Sequence, residues 1–112
     1  MSEEPTAYIV VLCTAPDQQA ARLIGERLVE RRLAACVNIV PGLASVYRWE
    51  GAVHEDAETL LVIKTRRDLF DEVAADIAAA HPYRVPEIIA LPVVRGSASY
   101  LDWLAAETKT IP

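Results

Sequence analysis

One repeated pattern constrains this chain more than any other feature in it. "VVLCTAPD" (residues 10–17) and "LVIKTRRD" (61–68) each run from an apolar segment to a threonine and then, three positions later, to an aspartate. The offset between them is constant along both stretches. Helical spacing follows each time. Ala21, Ile24 and Leu28 recur after the first, with Gln18, Arg22, Glu26 and Glu30 on the other face. Leu69, Phe70, Val73, Ala74 and Ile77 recur after the second, with Asp71, Glu72 and Asp76 polar. An apolar run leading into an amphipathic helix, twice over, predicts two copies of one half-domain.

The other elements fall around this repeat. "YIVVLC" (8–13) is continuous and β-branched, and predicts a strand buried on both faces. Thr14 is the expected N-cap of the first helix, with Pro16 in its first turn and Asp17 favouring its positive end. "LAACVNIV" (33–40) predicts a second strand, which "PGLASVYRW" continues past a break at Pro41-Gly42. Glu50-Gly51 makes a turn, "ETLLVIKT" (58–65) the third strand and "IIALPVV" (88–94) the fourth. Gly96 and Ser97 introduce a short helix carrying Tyr100, Leu101, Trp103 and Leu104. The expected fold class is α+β, a ferredoxin-like βαββαβ sandwich with an antiparallel sheet in the order 4-1-3-2. Both main helices lie on one face, the β2–β3 hairpin is long and protruding, and an extra helix ends the chain. The prolines agree. Proline cannot donate to a ladder, and Pro41 and Pro92 fall on the two edge strands, with none in the central pair.

A chain of 112 residues predicts one domain, 1–112, with an ordered core from about 7 to 106. With 53% of its residues hydrophobic it is not a disordered chain, and a net charge of -5 argues against nucleic-acid partners. No apolar run approaches the roughly 18 residues of a membrane span. The start, "MSEEP", is acidic rather than a basic leader, so a cytoplasmic protein is expected, with Cys13 and Cys36 as free thiols. The second and third strands, at about 3.3 Å per residue, should reach on the order of 50 Å. A compact domain of this size is roughly 35 Å across, so the hairpin must bend or project. Open edge strands and a tip carrying Val46, Tyr47 and Trp49 predict a closed, cyclic homo-oligomer.

The topology also predicts which residues meet. The end of the first strand, the end of the second helix and the start of the fourth strand share the top of the sheet. That brings Cys13, His81 and Glu87 to one end and leaves Cys36 and Lys64 at the other, so a Cys13–Cys36 disulfide is not expected. Thiolate and imidazole suit copper and zinc, and Cys13 with His81 makes a candidate half-site that Glu87 or a water completes. Each residue also has a plainer role. Cys13 reads as a small buried hydrophobe. His81 follows Ile77 by one turn and Pro82 biases it away from helical angles, so "HPYRVPEI" (81–88) is first of all a helix stop. Glu50, Glu55, Asp56 and Glu58 read as a solvated hairpin, and His54 as facing solvent. Tyr47, Trp49, Tyr83, Tyr100 and Trp103 read as lining an intersubunit pocket or as interface anchors. No nucleophile has a visible activating base and no Gly-rich phosphate loop exists, so no enzymatic activity is expected.

"VVLCTAPD", "LAACVNIVPGLASVYRWEG", "LLVIKT", "HPYRVPEIIALPV" and "YLDWL" together resemble the CutA family of divalent-cation tolerance proteins, from about Tyr8 to Leu104. The resemblance implies a homotrimer of ferredoxin-like subunits, similar in architecture to the PII signalling proteins. It implies a cytoplasmic part in tolerance to copper (Cu²⁺) and other divalent cations, with Cys13 and His81 matching two residues assigned to copper in some bacterial members. Ala80 stands where those members carry a second histidine, and Arg84 where an acidic or amide residue is frequent. Both departures weaken a cation site. A second reading is a PII-like small-molecule sensor using clefts between subunits. A third is a structural scaffold or adaptor for a protein partner.

Overall fold

The computed structural model of the chain describes residues 7–111, so the acidic start at 1–5 lies outside the described residues. Four strands and three α-helices follow in the order β1 (Tyr8–Ala15), α1 (Gln18–Glu30), β2 (Cys36–Trp49), β3 (Ala52–Arg66), α2 (Phe70–Ala80), β4 (Ile89–Pro92) and α3 (Ala98–Glu107), with a 3₁₀ turn at Arg67–Leu69 before α2. The sheet runs β2-β3-β1-β4 and every pairing is antiparallel. This is the expected ferredoxin-like order, with both proline-bearing strands at its edges.

The core is what the pleat and the helical stripe dictate. Ile9, Val11, Cys13 and Ala15 alternate down one face of β1, level with Thr65, Ile63, Leu61 and Thr59 of β3. Ala21, Ile24 and Leu28 of α1, with Val73 and Ile77 of α2, close over that face. Gly25 lets α1 sit close, because a Cβ there would stand 3.2 Å from Val37 Cγ1. The two helices are also tied by charge. Asp76, counted from the sequence among the polar positions of its helix, is buried, and its Oδ1 accepts from Arg27 at 2.9 Å and Arg31 at 2.6 Å.

The hairpin is as long as the strand count requires, and the molecule measures 47 × 28 × 24 Å. The expected break at Pro41-Gly42 is a shift in register between Val40 and Leu43, with Gly42 at a φ of 86°. At the tip Glu50 and Gly51 both take positive φ, 50° and 82°, the pattern of a type I′ turn.

Several local expectations are corrected. Thr14 does not cap α1. It stays in the ladder opposite Leu60, and the strand runs on to Ala15, leaving Pro16 between strand and cap. The N-cap is Asp17, in extended conformation, whose carboxylate accepts from the Ala20 amide at 2.8 Å. Such a cap contributes about 1 kcal/mol. Its counterpart Thr65 is buried in β3 and donates to the Leu33 carbonyl at 2.6 Å. Leu33 and Ala34 precede β2 rather than opening it. Their amides both turn back to the Leu28 carbonyl, at 2.9 and 3.2 Å, while Arg32 donates to Val29 from a φ of 60°, which closes α1 in a Schellman turn. The fourth strand is shorter than 88–94, pairing only from Ile89 to Pro92.

The largest difference concerns β1, which is not buried on both faces. Val10 and Leu12 are only half-buried, as are Leu60 and Val62 beside them on β3. Val40, Ile89 and Leu91 fall on this same face through the pairings of β2 and β4, and they are 44%, 51% and 49% exposed. An apolar surface therefore runs across all four strands on the side away from α1 and α2.

Candidate functional site

His81 ends α2 and opens the site with the same residue. Its backbone amide donates to Ile77 at 2.8 Å and its φ and ψ of -82° and 138° are extended, as the following proline demands. The ring then reaches across to the end of β1. Nε2 donates to the Thr14 carbonyl at 2.7 Å, and Nδ1 accepts from the Tyr83 amide at 3.1 Å. One nitrogen must carry the proton and the other must lack it, so this is the neutral Nε2–H imidazole. Tyr83 lies against the ring with centroids 4.7 Å apart, and its hydroxyl donates to Glu58 Oε2 at 2.6 Å.

Cys13 approaches the same carbonyl, its thiol 3.7 Å from the Thr14 oxygen. The two candidate ligands are thus brought together at the end of β1. Their chemical states work against a metal. Cys13 is fully buried, and burial, followed by the negative charges of Glu87 and Glu58, pushes its thiol up to about 12. Only the thiolate ligates well, and both imidazole nitrogens of His81 are already engaged. Glu87 is exposed at the cavity mouth. Among the described residues no group of three or more His, Cys, Asp or Glu converges as metal ligands would. As folded, Cys13 and His81 do not fit a closed copper centre.

Beside them a cavity of about 710 Å³ opens between the hairpin and the 83–87 segment, with Thr14, Tyr47, Trp49, Glu58, Tyr83 and Glu87 on its walls. Tyr47 donates to Asp56 across the hairpin, and Arg84 lies 5.5 Å from the Trp49 ring. Burial and the Glu58 contact raise the Tyr83 phenol above its usual value, and the Asp56 contact does the same for Tyr47. Of the aromatic residues singled out in the sequence, Tyr100 and Trp103 are not here but pair with each other on α3, 5.5 Å apart. Glu58 is the residue sequence reasoning missed. Read as a solvated hairpin acid, it is instead buried and held by Tyr83. Its only signal is its position directly before the apolar run "LLVI". His54 is exposed as expected, and Cys36 pairs with Lys64 at the far end of the sheet.

Comparison with known proteins matches residues 9–107 to the family model described as CutA1 divalent ion tolerance protein. A divalent-cation tolerance protein CutA of Thermus thermophilus is 56% identical over 99 residues, covering 88% of this chain and 96% of that protein. The chloroplastic CutA protein of Arabidopsis thaliana is 47% identical over 108 residues, covering 96% of this chain and 59% of its own length, so the chain spans little more than half of that longer relative. The solved structure of a divalent cation tolerance protein from Thermus thermophilus superposes with a TM-score of 0.89 at 54% identity, over 91% of this chain and 99% of that one.

Proposed function

This chain belongs to the CutA1 divalent ion tolerance family, and on that premise we propose that it serves as a cytoplasmic homotrimer in divalent-cation tolerance, meeting divalent copper weakly at Cys13 and His81 and catalysing no reaction. The observation that carries this reading is the uncovered apolar face. Val40, Ile89, Leu91 and their half-buried neighbours form a surface that a monomer leaves in water at a cost of about 25 cal/mol per Å². The two open sheet edges belong to different strands, β2 and β4, and a β2-to-β4 contact between copies is head to tail, the kind that gives a ring when its rotation closes. Two unpaired cysteines suit a reducing compartment.

Weakness toward copper follows from the site. Cys13 and His81 approach one carbonyl oxygen, but the thiol keeps its proton and both ring nitrogens are occupied. Titration with Cu²⁺ of the native protein and of the Cys13→Ala and His81→Ala variants tests the metal arm. Weak binding in the native protein, reduced in both variants, is expected. Equal affinity in all three would remove these ligands from consideration.

A further inference from the structure

We propose that the cavity between the β2–β3 hairpin and the 83–87 segment binds a small organic ammonium ion carrying an apolar body. Its volume of about 710 Å³ lies within the range of roughly 300–1,000 Å³ usual for small-molecule sites, and far exceeds what a bare metal ion fills. Three aromatic rings, Tyr47, Trp49 and Tyr83, stand on its walls. Rings of this kind present a negative face to a cation.

The charges fix the sign of the guest. Asp56, Glu58 and Glu87 border the cavity, and among the described residues that line it Arg84 is the only Lys or Arg. Arg84 is itself a wall residue, lying over the Trp49 ring and 3.8 Å from Glu50, so one guanidinium offsets only part of that negative charge. Glu58 is only 9% exposed, yet among the described residues it has no cationic partner; its one contact is the Tyr83 hydroxyl at 2.6 Å. Asp56 likewise accepts only from Tyr47 among those residues. A buried carboxylate without a counter-ion is costly, and a cation from outside relieves that cost. Burial first, and the neighbouring carboxylates after it, push Tyr83 and Cys13 toward their protonated forms.

Other guests fit less well. An anion meets three carboxylates against one guanidinium. A bare divalent ion needs converging oxygens, and among the described residues no such cluster forms. An ammonium group can lie between Asp56 and Glu58 while its hydrocarbon part rests on the rings. The residues that line this cavity belong to one chain and include neither Cys13 nor His81, so the proposal does not rest on copper binding there.

Isothermal titration of the native protein at neutral pH and low salt tests it with three probes of one shape: benzylamine, benzyl alcohol and sodium benzoate. Saturable binding of benzylamine is expected, with the neutral alcohol and the anion each at least about tenfold weaker. Glu58→Gln keeps an acceptor for Tyr83 but removes the charge, and about a tenfold loss of benzylamine affinity is expected. Asp56 is exposed, so Asp56→Asn reads the same loss where Glu58→Gln fails to fold. No saturable binding of benzylamine would overturn the proposal, as would equal binding of the alcohol. Unchanged affinity in Asp56→Asn, or a neighbouring copy filling the cavity in the assembly, would overturn it as well.

Discussion

Leu61→Ala is expected to cost about 2–5 kcal/mol of stability, read as a lower midpoint in urea with an unchanged slope. Leu61 is fully buried and lies in the middle of the sheet, level with Cys13 of β1 and Ile39 of β2. Truncating it removes apolar contact and leaves a hole that neither neighbouring strand can close, because both are pinned in their ladders. Half-exposed Leu91 provides the contrast. In an isolated chain Leu91→Ala should cost little, since little transfer energy is lost and no enclosed cavity forms. A loss for Leu61→Ala below about 1 kcal/mol would mean that the layer between sheet and helices is not the tight core described above.

The second large effect is a fall in stability on the alkaline side. The native chain holds the Cys13 thiol protonated up to about pH 12, whereas its ordinary value is 9.0. Between those limits the unfolded chain binds fewer protons than the native one, so stability decreases as pH rises. The stabilisation is fully present below about pH 9 and lost by about pH 12, for a total of about 4 kcal/mol at 1.36 kcal/mol per unit. Tyr83 acts in the same direction from its own ordinary value of 10.0 upward, because burial and Glu58 favour its protonated form. Urea midpoints for the native protein and Cys13→Ala between pH 8 and 11 check this. The variant should lose less stability per pH unit while keeping the share due to Tyr83. Parallel curves would show that Cys13 is not held as the buried thiol described here.

The topology was legible because it is written in simple periods. The repeated apolar run and helical stripe predict two βαβ units, and Pro41 and Pro92 mark the two edge strands. Chain direction alone placed Cys13, His81 and Glu87 at one end and Cys36 with Lys64 at the other. Local detail was harder to read where two residues were chemically suited to one task. Thr14 and Asp17 are both good caps, and only the extra strand residues Thr14 and Ala15 decide for Asp17. Glu58 reads as solvated in the sequence because its hydrogen-bond partner is Tyr83, 25 positions later, which no local pattern announces. The state of His81 was equally hidden. Its cap role could be read from Pro82, but the engagement of both ring nitrogens depends on Thr14 and on the turn that aims the Tyr83 amide. The apolar run of β1 carries a different lesson. It reads as a strand covered on both sides, and one chain covers only one of them.

That uncovered side is where the proposed assembly is most exposed to contradiction. Sedimentation equilibrium of the native protein at micromolar concentration should return the mass of three chains, with no lighter species at the dilute end of the cell. A single-chain mass, with Val40, Ile89 and Leu91 left in water by a stable monomer, would contradict it.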